Sequence, residues 1–549
     1  MLGGLWLASL GERPLFNPDE GRYAEIPREM LAGGDWVIPH LNGVAYAEKP
    51  PLQYWATALS YRLFGVNEFA ARLYCALCAL GTIVLVWLMA HREGGEQAAW
   101  RAAAVLSSML IFAVLGQLLT LDMSLTFYLT LSLTGFLFAQ PEAGSTSSGV
   151  APGVASGAAP GAAPGAASRR WMLLAWAAAA LGVMSKGIVA AVIPAAVLVI
   201  HSLWTRDFSP WRRLHWAIGL PLFLAIAVPW HWLAARRDGD FLQFYFVHEH
   251  LARYLTPIAQ RVEPWWFFLA VFVGGSAPWT LSALRVVAGG WRRQRAAGFD
   301  ARLFLWIWVV FVVGFFSMSD SKLMPYILPI MPALAVAVAL SPPELFKRDC
   351  LITAIFTLIV GLSLGWASLH WPQVLSSSNR AAYFLPLARP AAKIAALLSV
   401  SGAFVLVQGA RDPTRAGVFL GVGWCLAWVW LGVAAAAVAP VYSGVALADA
   451  IPAGERQAPI YCIATYDQTL EFYLQRTVTP VRFRGELEYG LSKHPGAAIA
   501  DLEEFKRRWL ADPQGFAVME PSMFEKLQSG GLPMRVIGHT ADRLLAARQ

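Results

Sequence analysis

Residues 350–370 read CLITAIFTLIVGLSLGWASLH, a stretch without one charged side chain. At a rise of about 1.5 Å per residue, about twenty apolar residues in helix cross a hydrocarbon core roughly 30 Å thick. A helix that is apolar all round needs lipid around it, or a very large core. Runs of the same kind recur at about 69–90, 100–117, 122–140, 171–185, 187–204, 216–234, 264–284, 303–318, 325–341, 390–408 and 415–438. Met1 to Leu10 is a further apolar run, too short to span. It lacks the basic flank and cleavage site of a signal peptide, so it reads as a first helix missing its beginning. The expectation is about thirteen transmembrane helices. Composition agrees: of 549 residues 57% are hydrophobic and 14% charged, and the mean hydropathy is +0.51. Soluble domains carry about 25% charged residues. A cytosolic enzyme, a nucleic-acid-binding domain and a disordered chain are all excluded.

Charge divides the chain. Residues 439–549 contain 12 basic and 13 acidic side chains, the density of an ordinary soluble domain. There, strand-like runs (Pro459–Thr465, Phe516–Glu520, Arg535–Gly538) alternate with helix-like ones (Gln468–Gln475, Leu502–Leu510, Pro521–Gln528), which predicts a small α/β domain. Residues 1–438 form the membrane part and hold the basic excess behind the net charge of +8. Arginine clusters mark alternate short loops: Arg92 and Arg101; Arg169 and Arg170; Arg206, Arg212 and Arg213; Arg285, Arg292, Arg293 and Arg295; Lys347 and Arg348; Arg411 and Arg415. Basic loops stay inside, so the N-terminus is placed inside and the tail outside. Segment 141–168 reads as a low-complexity inside linker. Cys75 and Cys78 form a C-x-x-C within a membrane helix, where small packing residues are the reading.

Two outside loops are long, 12–66 and 235–262. Glu20–Leu31 and Leu52–Phe64 in the first are predicted as short amphipathic helices on the membrane surface. Four features carry charge to that face. LFNPDEGRYAEIPREM holds Asp19, Glu20, Arg22 and Tyr23; GVAYAEKPPLQYW holds Tyr46, Glu48, Lys49 and Tyr54; LTLD places Asp122 at a hairpin end; SDSKLMPYILPIMP places Lys322 and Tyr326 at a helix mouth. Each has a plain alternative: helix caps for Asp19 and Asp122, a surface ion pair for Glu48 and Lys49, a snorkelling lysine for Lys322. All four nevertheless fall on one side of a topology derived without them. In the second loop, Arg236, Arg237 and Arg253 are candidates for phosphate contacts, against a charged juxtamembrane face. His248, Glu249 and His250, with Glu48, are the weighed metal ligands. Residues two apart do not share a helix face, so a polar run without metal is preferred and no cofactor is expected.

Together, the acidic pair after the first helix, the E-K-P-P motif, the Asp after the third helix and the K-L-x-x-Y motif resemble the GT-C superfamily of polyprenyl-phosphate-sugar glycosyltransferases. DEGRYAEIPREMLAGGDWVIPHLNGVAYAEKPPLQYW and SKLMPYILPIMPALA are most similar to the lipid A aminoarabinose transferase family. SKLMPY departs from the family's usual K-L-P-T-Y, and the first helix is short. The resemblance implies a GT-C fold with a periplasmic C-terminal α/β domain, in the bacterial inner membrane. It implies transfer of 4-amino-4-deoxy-L-arabinose from undecaprenyl phosphate to a lipid A phosphate, conferring resistance to polymyxin. A monomer with two lipid substrates and no nucleic acid is expected.

The residues fit that chemistry. Lys49, Arg22 and Lys322 can neutralise a leaving phosphate, and Tyr23, Tyr46, Tyr54 and Tyr326 can hydrogen-bond or stack on a sugar. Asp19, Asp122 and Lys49 are the catalytic candidates; Arg22, Lys49, Lys322 and Tyr326 the donor-phosphate set; Glu20, Tyr23, Tyr46, Glu48, Arg236, Arg237 and Arg253 the sugar and acceptor set. An acceptor phosphate is already anionic and needs little base, so Asp19 would orient it, hold the sugar's ammonium, or stabilise the anomeric centre. Two alternatives are a related mannosyl- or arabinosyltransferase acting on protein or glycan, and a transporter with Lys186 near a helix break. Transporters gather their polar groups at the bilayer midplane; here they gather at one interface.

Overall fold

A computed structural model describes residues 2–141, 166–256, 261–292, 299–376, 380–512 and 514–549. Most of the proposed linker, with Arg293 and Arg295, lies outside them. The apolar runs fold as helices, and the chain is a multi-pass membrane protein. Among the described residues six helices are long and apolar enough to cross a membrane: Glu68–Ser108, Leu121–Phe138, Trp216–Arg237, Pro343–Leu369, Ala381–Gln408 and Pro413–Tyr442. Shorter apolar helices are Val189–Thr205, Thr280–Gly289, Ala301–Ser317 and Met324–Ala339.

Several boundaries differ from expectation. The runs at 69–90 and 100–117 are two helices as expected, turning back on each other at Gly95 (φ 77°) with the Trp87 and Trp100 rings 6.2 Å apart, but the second breaks at Met109 before Leu110–Leu115. The run at 264–284 is split into Phe267–Gly275 and Thr280–Gly289. The helix after Lys322 begins as a 3-10 turn, Met324–Ile330, before Met331–Ala339. Prolines 325, 329 and 332 cannot donate backbone hydrogen bonds, which suits that tight start.

The first loop contributes helices Asp19–Gly33 and Leu52–Phe64, joined through a hairpin of β1 (His40–Leu41) and β2 (Val44–Ala45). The first is not a surface helix. Residues 20–27 are all buried, because the tail helix Gln468–Leu474 packs across them. Any Cβ at Gly21 would stand 2.6 Å from the backbone of Gln468 and Thr469, so only glycine admits this approach.

The tail forms a five-stranded sheet from β3 (Ile460–Ile463), β4 (Thr479–Val481), β5 (Phe516–Met519), β6 (Met534–His539) and β7 (Leu544–Arg548), in the order β4-β3-β5-β7-β6. β4-β3-β5 are parallel and β5-β7-β6 antiparallel. Helices Gln468–Leu474, Leu502–Ala511 and Pro521–Ser529 match the predicted runs to within a residue or two. The tail is fastened to the loop before Asp19. The Asn17 backbone N–H donates to Tyr442 O at 2.7 Å, its Nδ2 to Asp467 Oδ1 at 2.9 Å, and Thr469 N–H donates to Asn17 Oδ1 at 3.1 Å.

Candidate functional site

Helix Asp19–Gly33 opens with two acids in its first turn, where the helix dipole favours negative charge. Pro18 takes the cap position and Asp19 makes no capping bond; its half-exposed carboxylate accepts from Arg22 instead. The Arg22 guanidinium lies 5.1 Å from the centre of the Tyr23 ring, and its Nε is buried without a hydrogen-bond partner. Tyr23 and Tyr54 have ring centroids 6.2 Å apart, and the buried Tyr54 hydroxyl also lacks a partner. Burial raises both phenols well above their ordinary range, so they remain donors at neutral pH.

Asp122 likewise is no cap: it is the second residue of Leu121–Phe138, and its carboxylate pairs with the Lys186 ammonium. Lys186 Nζ sits 5.0 Å from the centre of the Tyr326 ring. Beneath this pair, Ser124 Oγ donates to Gln53 Oε1 at 2.7 Å and lies 2.6 Å from Ser185 Oγ. Three elements are thus tied directly under Tyr54, Asp122 and Lys186.

The two long loops, 12–66 and 235–262, meet in a chain of alternating charge. Lys49 Nζ is 3.3 Å from Glu249 Oε2, Glu249 also binds Arg253, and Arg253 Nη1 reaches Glu48 Oε2 at 3.4 Å. The Tyr46 hydroxyl donates to the same Glu48 oxygen at 3.1 Å. Burial alone would raise the Glu249 carboxyl, but Lys49 and Arg253 hold it below the usual carboxylate range. Glu249 belongs to a π-helical segment, Gln243–Ala252, which docks on Gly187, the residue after Lys186. Gly187 has φ 120°, and a Cβ there would meet His250 Nε2 at 2.2 Å.

Most of the expected residues therefore share one region. Tyr23 lies within electrostatic reach of Arg22, Asp19, Glu48 and Asp122, and Arg253 within reach of Tyr326. Lys322 is buried four residues before Tyr326, and no ion pair joins its ammonium to the others among the described residues.

Two assignments need correction. Glu20 is not a sugar ligand: it is buried between Arg13, at 2.6 Å, and Arg72, at 2.8 Å, and accepts the backbone N–H of Phe16 and Leu119. Its oxygens are spent fastening the loop. Arg237 pairs with Asp35 at 2.9 Å on the surface, and Arg236 lies over Trp232 at 4.1 Å, so neither joins the charge network. His248, His250 and Glu48 form no metal-ligand group; among the described residues the only such group is Glu25, Glu29 and Glu471. His250 Nδ1 donates instead to Tyr245 O at 2.7 Å.

Lys186 and Glu249 were missing from the expected site. Lys186 is the one Lys, Arg, Asp or Glu between Arg170 and Arg206, a signal strong enough to have marked it. Glu249 had no such mark beyond its two histidine neighbours.

Known proteins resemble parts of this chain or nearly all of it. The model of the aminoarabinose transferase C-terminal domain matches residues 447–548, and that of dolichyl-phosphate-mannose-protein mannosyltransferase matches 15–245. An undecaprenyl phosphate-alpha-4-amino-4-deoxy-L-arabinose arabinosyl transferase of Pseudomonas fluorescens is 33% identical over 341 residues, 61% of this chain and 57% of the relative. One of Sodalis glossinidius is 33% identical over 367 residues, 66% of this chain and 61% of the relative. These matches thus span about three fifths of the curated relatives' lengths. The crystal structure of ArnT from Cupriavidus metallidurans bound to undecaprenyl phosphate superposes with a TM-score of 0.87 at 31% identity, covering 99% of this chain and 96% of that one. Likeness of that extent in both fold and sequence, with the tail's own family match, means that the chain belongs to the aminoarabinose transferase family of the GT-C superfamily.

Proposed function

We propose that this protein transfers 4-amino-4-deoxy-L-arabinose from undecaprenyl phosphate to a lipid A phosphate, at the periplasmic face of the bacterial inner membrane. The carrying observation is the Lys49–Glu249–Arg253–Glu48 chain beside the Asp122–Lys186 pair. Two amphiphiles with phosphate heads need cations at headgroup depth, and this region supplies them from four separate elements. The ArnT crystal structure that superposes on the chain holds undecaprenyl phosphate.

In the reaction the bond between the anomeric carbon and the donor phosphate oxygen breaks, and an acceptor phosphate oxygen bonds to that carbon. The transition state is oxocarbenium-like. Lys49 and Arg253 stabilise the departing phosphate, with Lys322 at the same mouth; Arg gives bidentate contacts and Lys a point charge. Glu249 and Glu48 keep these cations in place until phosphate arrives. Asp122 holds Lys186 against Tyr326. Asp19, aimed by Arg22, faces the sugar's ammonium or the positive anomeric carbon, and the Tyr54 hydroxyl and Arg22 Nε offer donors for ring oxygens. The protein works as a monomer with its tail in the periplasm and about thirteen spans.

Lipid A mass spectra from cells expressing the wild type should gain the aminoarabinose mass, and those from cells expressing Asp19→Asn at equal abundance should not. Full modification by the variant would remove Asp19 from the mechanism. The mannosyltransferase match over 15–245 favours a second reading, transfer of a polyprenyl-linked hexose to protein. Unchanged lipid A together with a glycosylated membrane protein would select it.

A further inference from the structure

Away from the charge network, helix Asp19–Gly33 meets the tail through a second set of acids. Glu25 and Glu29 stand one turn apart on it, and Glu471 enters from the tail helix Gln468–Leu474. One carboxylate oxygen of each lies within 4.8 Å of the other two. Glu25 and Glu471 are 0% exposed.

Positive charge here falls short. Arg28 bonds both oxygens of Glu25, at 2.5 and 2.7 Å. Glu29 accepts the Gly43 N–H at 3.0 Å and faces His40. Glu471 Oε2 accepts the Tyr466 hydroxyl at 2.6 Å, while its Oε1 is buried with no hydrogen-bond partner at all. Among the described residues no other basic side chain bonds to the three acids. Three carboxylates against one guanidinium leave two negative charges in a largely buried junction, a costly state unless something compensates. Burial and the neighbouring Glu29 push Glu25 up to about 8 even against the pull of Arg28, and burial with Glu25 and Glu29 drives Glu471 upward too.

We propose that Glu25, Glu29 and Glu471 bind one hard divalent cation of the calcium class, clamping the tail to the helix that carries Asp19 and Arg22. A point equidistant from three oxygens at the 4.8 Å limit lies about 2.8 Å from each. Calcium–oxygen bonds of about 2.3–2.6 Å need only a small contraction from there, whereas magnesium at about 2.0–2.1 Å needs a larger one. The donor set is all oxygen, which disfavours zinc. The two negative charges left over after Arg28 match the ion's two positive ones. Cation supply would then set how firmly the tail holds the loop of the site.

This inference does not rest on the transferase reading, since its readout is the ion. Full-length protein in detergent is stripped with chelator and dialysed against radioactive calcium at pH 7.5. The wild type should retain close to one ion per chain, and Glu471→Gln well under half of that. Its unfolding temperature, followed by tryptophan fluorescence, should rise by several degrees in calcium chloride over EDTA. The rise should be absent in Glu471→Gln and in Glu29→Gln, the latter being less buried and easier to fold. Negligible retention by the wild type would overturn the proposal, as would equal retention by both variants. Equal unfolding temperatures in calcium and EDTA, with stabilisation on going from pH 8 to pH 6 instead, would assign the junction to shared protons.

Discussion

Gly187→Ala probes how the loop 235–262 is held over the site. The new Cβ would stand 2.2 Å from His250 Nε2, 3.0 Å from His250 Cε1 and 3.1 Å from the Tyr245 hydroxyl. Ordinary heavy-atom contact begins near 3.5 Å, so the imidazole must retreat by more than about 1 Å. It cannot swing aside alone, because its Nδ1 is held by Tyr245 O at 2.7 Å and its ring packs 4.6 Å from that of Tyr245. The segment Gln243–Ala252 has to move as a unit, and Glu249 moves with it. The Lys49–Glu249 contact, already 3.3 Å, is lost. At φ 120° the alanine also carries backbone strain of about 1–3 kcal/mol. A displacement of about 1 Å at a reacting group can cost roughly 100-fold in rate. We expect transfer to lipid A in detergent to fall by about that factor, with unfolding lowered by only a few degrees. Gly187→Ala/His250→Ala makes room for the methyl and should recover a large part of the loss. Wild-type turnover in the single variant, or a double variant no better than the single, would refute the steric argument.

Lys186→Met leaves the mostly buried Asp122 carboxylate without its partner and should cost about 3–5 kcal/mol, seen as a drop in unfolding temperature; adding Asp122→Asn should return part of it, and an unchanged temperature for the single variant would contradict the pairing. Glu20→Gln removes the charge between Arg13 and Arg72, so folded yield should drop while any protein that does fold keeps its KM; a specific rise in KM would restore Glu20 to the substrate site. Burial, with the charge of Lys49, holds His250 down to about 4 from its ordinary 6.5. The neutral ring fits the docked segment, so docking is complete above pH 6.5 and weakens as pH falls through 4, by up to about 3 kcal/mol. Hydrogen exchange of 243–252 at pH 5 and pH 7, corrected for intrinsic rates, checks this; equal protection would disprove it.

The helices were readable because lipid demands uninterrupted apolar length, which a sequence displays directly. The turn near Gly95 was readable too: Arg92, Glu93 and Glu96 mark a loop between spans, and the chain reverses there through one non-helical residue. In the tail, β7 is LLAAR, which favours helix locally and becomes a strand only because β5 and β6 flank it. At the site, Asp19 and Glu20 are neighbours in sequence but about 100° apart around their helix. One meets Arg22 near solvent and the other two buried arginines, and no local pattern distinguishes them. The Lys49–Glu249 pair spans 200 residues, a coincidence in space that a single chain cannot announce.

The hydrogen bonds between Asn17 and residues 442, 467 and 469 have an evolutionary corollary. An amide at position 17 serves as both donor and acceptor, and its counterparts sit more than four hundred positions downstream. The tail is consequently a poor candidate for exchange between homologues: a graft that altered Asp467 or the backbone at Thr469 would unseat the segment leading into Asp19. The two halves of this chain should drift together, each substitution at that seam answered by another across it.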